Sequence, residues 1–153
     1  MPKPVSFDRM ADVWGAAVIT VGVVLVLLAF TVFDWLDTEA VFNLHVTFGD
    51  VHRVASFGAG PFLTTTYFDW GAIMLFIGTA IGAYVVRVTS MPRGLGANLV
   101  LFLCIVAAAW TWLAIGLGAN AVNVIDVAGG GFWAAIVGFL LIGLGAVQPR
   151  GRH

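Results

Sequence analysis

Two histidines and an aspartate lie close together in the sequence, in a pattern suited to binding a metal. His45, Asp50 and His52 form an H-x4-D-x-H arrangement. Imidazole nitrogens and carboxylate oxygens are common zinc and transition-metal ligands, and a tight turn would bring all three together. The same spacing also suits an ordinary cross-strand pair of solvated histidines, which is the favoured interpretation. We therefore expect no metal or other cofactor, with these three residues as the candidates if a metal is bound.

A second candidate is the tripeptide Phe-Asp-Trp, which occurs at 33–35 and again at 68–70. Its two aspartates would make an ion or proton site if they met. The favoured alternative is an anchor at the membrane surface, where tryptophan is enriched at headgroup level. Asp69 also occupies a position suited to capping the helix that follows. The predicted anchors are Trp35, Trp70, Trp112, Trp133, Asp34 and Asp69.

The composition indicates which elements must position these residues. Hydrophobic residues make up 61% of the 153-residue chain and charged residues 10%, with a mean hydropathy of +1.02. Soluble domains contain about 45–50% apolar and about 25% charged residues, so the excess apolar surface must face lipid. The net charge of −1 argues against nucleic-acid binding, which needs a basic face.

Four apolar runs are long enough to cross a bilayer, because a spanning helix needs about 20 such residues. The sequence predicts an all-α integral membrane protein: one domain (1–153) with a four-transmembrane-helix bundle and an outer loop at 34–69. The predicted spans are 13–33, 70–87, 97–117 and 128–148. Their apolar cores contain no ionisable residue, which argues against pumps, proton-coupled transporters and haem proteins.

Basic residues are distributed unevenly along this threading. Six fall on one side, and only Arg53 falls on the other. The six are Lys3, Arg9, Arg87, Arg93, Arg150 and Arg152. By the positive-inside rule, we expect a bacterial plasma (inner) membrane protein with both termini in the cytoplasm.

Small residues recur at helical spacing in two spans and predict close helix packing. Gly131, Gly138 and Gly145 repeat every seven residues in the fourth span, beside Ala134. The second span contains Gly71, Gly78 and Gly82. These positions would pack helices within one bundle, which is favoured, or receive a helix of another membrane protein.

The outer loop contains a strand-like alternation. Phe42, Leu44, Val46 and Phe48 alternate with polar residues, Gly49-Asp50 is typical of a turn, and VHRVASF (51–57) would form a returning strand. The sequence therefore predicts a short β-hairpin on the outer face.

Three functions fit these features. The favoured one is a non-enzymatic accessory or structural subunit that contacts lipid and other integral membrane subunits of a larger inner-membrane complex. The alternative is a pore-forming, holin-like or membrane-depolarising protein. A lipid or quinone enzyme is the third, with its candidate polar groups at the outer surface: Asp34, Asp69, Asn120, Asn123 and Asp126.

Overall fold

The chain folds around four long apolar helices in a computed structural model that describes residues 7–37, 45–58, 60–89, 94–118 and 124–148. The helices are α1 (Phe7–Thr31), α2 (Phe48–Ser56), α3 (Phe62–Thr66), α4 (Ala72–Val88), α5 (Leu95–Gly118) and α6 (Gly130–Val147). A π-turn (Tyr67–Gly71) joins α3 to α4, and a short 3₁₀ turn (Val124–Asp126) precedes α6. The structure therefore confirms the all-α membrane fold class.

Four segments are long and apolar enough to cross a bilayer: Asp12–Thr31, Phe62–Val88, Leu95–Leu117 and Gly130–Val147. Their surfaces carry many exposed large apolar side chains, which are stabilised when they are removed from water. The chain is a small multi-pass membrane protein whose helices contact membrane lipid. Several residues used to predict its orientation and outer loop lie outside the described residues: Lys3, Phe42, Leu44, Arg93, Asn120, Asn123, Arg150 and Arg152.

A two-stranded antiparallel hairpin follows α1, as predicted, but its strands are not the predicted pair. Strand β1 (Asp34–Asp37) pairs with β2 (His45–Thr47). A backbone hydrogen bond from Gly129 N to Trp35 O, 3.0 Å long, attaches β1 to the start of α6. The hairpin therefore rests on the end of the bundle.

The predicted returning strand, 51–57, is wrong, because this segment lies in or directly follows helix α2. Gly49-Asp50 is the first turn of that helix rather than a β-turn. The Asp50 carboxylate accepts hydrogen bonds from the backbone N–H and the hydroxyl of Thr47, at 3.1 and 2.7 Å. The inward-facing positions Phe48, Val51, His52 and Ala55 have the i, i+3, i+4, i+7 spacing of a helix face.

The second spanning helix begins earlier than the predicted residue 70. It starts at Phe62 and runs through the π-turn to Val88. Asp69 therefore lies inside the helix and is not its N-cap; Pro61 occupies the N-cap position. Thr64 donates a buried hydrogen bond to Ala114 O (3.0 Å), which holds the added first turn against α5.

Helices α1 and α6 pack with their backbones in close contact. A Cβ atom added at Gly138 would lie 2.8 Å from Gly22 O, and one added at Gly145 would lie 2.9 Å from Gly15 O. Glycine at these positions allows the close approach by which helices associate in lipid. Two of the three glycines of the α6 repeat, Gly138 and Gly145, therefore pack against α1 of the same chain.

Candidate functional site

The predicted packing residues fall into two groups, those filled by the chain itself and those left open. Gly131 lies against the Trp35 ring, Gly71 lies against Trp110, and Gly82 lies against Val100. Together with Gly138 and Gly145, these positions are occupied internally. Ala134 is half-buried and packs against the core.

Gly78 differs from the other packing glycines because its position is exposed. A Cβ atom placed there would have no neighbour within 4 Å. Gly78 lies in an open groove of about 210 Å³ between α4 and α5. The groove is almost entirely apolar, and its lining residues are Trp70, Gly71, Met74, Leu75, Gly78, Thr79, Leu103 and Trp110.

One wall of the groove is fixed by a hydrogen bond between α5 and α3. Trp110 Nε1 donates to Leu63 O (3.1 Å), which fixes that ring beside the groove. Thr79 directs its hydroxyl to Leu75 O (2.7 Å), within its own helix. The groove therefore offers an apolar contact surface, and the Thr79 hydroxyl is already bonded within its own helix. Such a surface suits an apolar occupant.

Trp35 was predicted to face the membrane surface, but its ring is fully buried. Its Nε1 donates to Ala29 O, at the end of α1. The Phe33 amide bonds to Leu28 O instead (3.1 Å), so Trp35 caps the carbonyl that Phe33 would otherwise reach. The ring also stacks edge-on against Phe68, with centroids 5.5 Å apart.

The other predicted tryptophan anchors have exposed rings. Trp70 is 53% exposed, while Trp112 and Trp133 are each 39% exposed and contact one another at a centroid distance of 6.0 Å. All three lie in the half of each spanning helix that is nearer the β1–β2 hairpin, and interface anchors belong near one end of a span. Their role as anchors stays a prediction.

The three candidate metal ligands turn to separate partners. His45 Nδ1 lies 2.7 Å from Asp34 Oδ2, and His52 Nδ1 lies 2.7 Å from Phe68 O. Asp50 accepts the Thr47 hydrogen bonds at the start of α2. Within the described ranges, no three His, Cys, Asp or Glu side chains are grouped as metal ligands.

His52 stabilises an irregular stretch of the second spanning helix. The π-turn shifts its backbone hydrogen bonds, so that the Ala72 amide bonds to Tyr67 O. The His52 ring reaches the neighbouring carbonyl, Phe68 O, and lies parallel to the Phe48 ring. This contact links α2 to the π-turn, and no spacing rule in the sequence indicates it.

The two aspartates of the repeated tripeptide have different environments. Asp34 lies on β1 and contacts His45, whereas Asp69 is exposed on the π-turn. The remaining polar candidates for a lipid or quinone site lie outside the described residues: Asn120, Asn123 and the Asp126 side chain.

Sequence reasoning missed a buried cation at the opposite end of the bundle. The Arg87 side chain is only 8% exposed and lies 3.5 Å from the Asp12 carboxylate. Its guanidinium also donates to Gly145 O (3.0 Å) and covers Gly15. The available signal was one acid just before the first span and one base ending the second. These contacts place the start of α1 and the ends of α4 and α6 together.

Four threonines are scattered along the spanning helices, and each makes a hydrogen bond within the protein. Thr20, Thr31, Thr79 and Thr111 each donate to the carbonyl four residues earlier. Thr111 also meets the buried Tyr67 hydroxyl at 2.6 Å. The Thr111–Tyr67 contact links α5 to the π-turn inside the bundle.

No family model, curated protein or solved structure matches this chain significantly.

Proposed function

We propose that the protein is a non-enzymatic accessory or structural subunit of a larger inner-membrane complex. It would bind an apolar transmembrane helix of another subunit in the groove between α4 and α5. The observation that carries this proposal is the open position at Gly78, in a chain whose other packing glycines are covered by its own side chains or backbone.

Helix association in lipid depends on close van der Waals contact more than on the hydrophobic effect. An exposed glycine beside two large aromatic rings supplies such a contact surface. The rings of Trp70 and Trp110 form part of the groove lining. Because the α1–α6 contact is separate, a helix could bind in the groove without disturbing the fold.

The proposed location is a bacterial plasma membrane, with both termini in the cytoplasm. The uneven distribution of basic residues supports this orientation. The grouping of Asp12, Arg87 and Gly145 at one end of the bundle is consistent with an even number of crossings. Reporter fusions at residue 1 and residue 153 should both give the cytoplasmic signal; opposite signals would contradict the threading.

The experiment is purification of a tagged chain in mild detergent, followed by quantitative mass spectrometry. We expect one integral membrane partner at fixed stoichiometry. Gly78→Trp should fill the groove and release the partner. Leu144→Trp, at a lipid-facing position of α6, is the matched control and should retain it. A chain free of partners in several detergents, or a partner retained by Gly78→Trp, would refute the proposal.

A membrane-potential dye separates this function from the pore-forming alternative. An accessory subunit should leave the potential intact when the chain is expressed. Depolarisation that scales with expression would favour a pore.

A further inference from the structure

An exposed apolar patch lies where α2 meets α3, among residues that do not line the groove. Phe57 is 83% exposed and Phe62 is 79% exposed. Val54 and Leu63 extend the patch, at 57% and 43% exposed. We call these four residues the corner patch. Exposed apolar areas beyond a few hundred Å² usually mark an interaction site.

If Asp69 and Arg87 mark the two edges of the hydrocarbon layer, the register of the second spanning helix places Phe62 and Leu63 of the corner patch outside it. Asp69 and Arg87 are about 18 residues apart, or about 27 Å of helix, close to the roughly 30 Å hydrocarbon core. Phe62 begins the helix about 10 Å beyond Asp69. The headgroup layer is only about 5–8 Å thick on each side. Lipid therefore does not cover the patch fully, and a protein surface suits it better.

The exposed stripe of α2 is complementary to itself in charge. Asp50, Arg53, Val54 and Phe57 are all exposed and have the i, i+3, i+4, i+7 spacing of one helix face. The stripe thus presents one acid, one base and two apolar side chains. A surface of this kind can pair with an identical surface across a two-fold axis.

The area of the patch is sufficient for a small interface. A buried phenylalanine contributes about 150–250 Å², so the four corner-patch residues would bury about 500 Å² per copy. Two copies would bury about 1,000 Å² in total, the lower limit for a specific interface.

We propose that a second copy of this chain covers the corner patch, forming a two-fold dimer through α2. Val54 and Phe57 of each copy pack together, and Arg53 of each copy pairs with Asp50 of the other. This inference does not depend on the partner proposed for the groove, because the two surfaces share no residue.

Disulfide cross-linking in native membranes tests the dimer directly. Cys104 is the only cysteine, so a Cys104→Ala background accepts single cysteines. Val54→Cys should form a disulfide-linked dimer at low expression. Val32→Cys, also exposed near the outer end of the bundle, is the matched control and should stay monomeric.

Native mass spectrometry of the wild-type chain in lipid nanodiscs gives the second measurement, with a dimer of the 16.2 kDa chain as the expected species. Phe57→Ser should abolish the dimer. Arg53→Glu removes both symmetry-related ion pairs and should weaken the dimer by about two- to thirtyfold, at the strength usual for exposed pairs. Circular dichroism should show unchanged helix content in both variants.

Three results would overturn the proposal. One is a monomeric wild-type chain whose Val54→Cys variant cross-links no more than Val32→Cys. Another is Val54→Cys cross-linking to a different polypeptide. The third is strong quenching of a fluorophore on Phe57→Cys by acyl-chain spin labels, which would place the patch in lipid.

Discussion

Replacing Gly138 with alanine should destabilise the bundle, whereas the same change at Gly78 should not. Both glycines lie inside spanning helices, so alanine brings each the same gain in helix propensity, about 1 kcal/mol. The environments differ. At Gly138 the new Cβ would lie 2.6 Å from Val26 Cγ2 and 2.8 Å from Gly22 O, whereas at Gly78 it would touch nothing.

The magnitude follows from these contacts. Carbon atoms pack best at about 3.5–4.0 Å, so α1 and α6 must separate or shift to admit the methyl group. Overpacking of this kind costs about 1–3 kcal/mol. Because the propensity gain is common to both variants, the unfolding free energies of Gly78→Ala and Gly138→Ala should differ by about 1–3 kcal/mol.

The assay is reversible unfolding by SDS in mixed micelles, followed by tryptophan fluorescence. Gly145→Ala should behave like Gly138→Ala, because its Cβ would lie 2.6 Å from Ile19 Cγ1 and 2.9 Å from Gly15 O. Equal stabilities for Gly78→Ala and Gly138→Ala would refute the α1–α6 packing. A Gly78→Ala variant that is less stable than the wild type would refute the open groove.

Three further predictions concern contacts at the two ends of the bundle. Trp35→Phe should lower the unfolding free energy by about 1–3 kcal/mol, because a buried carbonyl loses its donor; the same SDS titration measures it, and wild-type stability would contradict the buried hydrogen bond. Gly15→Ala should displace the Arg87 guanidinium and lower the unfolding free energy. The Gly15→Ala/Arg87→Ala double variant should lose less unfolding free energy than the sum of the two single variants. Strict additivity in this double-mutant cycle would rule out the contact. Hydrogen bonds from Thr47 lower the pKa of Asp50 below its ordinary value of 3.8. The ionised carboxylate therefore stabilises α2 when the pH is above 3.8. This stabilisation is lost as the pH falls through the lowered pKa. Hydrogen exchange of the α2 amides, corrected for intrinsic rates, should speed up at low pH in the wild type and show no such pH step in Asp50→Asn; an identical step in both would refute the cap.

The spanning helices could be predicted from the sequence because membrane insertion depends on a local property. About 20 apolar residues suffice to specify a helix in lipid, whatever the rest of the chain does. Helix ends were less predictable. Asp69 resembled an N-cap, but the first turn at Phe62 is stabilised by Thr64 bonding to α5, a contact that local spacing does not reveal.

The outer segment was harder to predict because two periodicities overlap there. Val46 and Phe48 continue a strand alternation, while Phe48, Val51 and Ala55 begin a helical one. Tertiary packing decides between them. Phe48 stacks on Phe30 (centroids 4.5 Å apart), and the helical alternative buries Ala55 on the same side.

Trp35 illustrates why residue type alone does not distinguish an exposed tryptophan from a buried one. It shares the Phe-Asp-Trp tripeptide with Trp70, yet one ring is fully buried and the other is 53% exposed. Strand β1 turns back over the bundle after α1, which carries Trp35 inward. Trp70 remains on the outer surface of a continuous helix. The chain path, and not the local sequence, decides which ring faces outward.

The arrangement of small residues leaves one glycine position open in a bundle whose other packing glycines are covered. Helices α1 and α6 meet through Gly22, Gly138 and Gly145, and Arg87 joins the same two helices to α4 at one end. The closest backbone contacts therefore lie away from the groove. Gly78 makes no such contact, so a side chain placed against it displaces no internal packing. A helix bound at Gly78 would gain close contact without breaking any contact of the bundle, which is the property required of a site for a separate subunit.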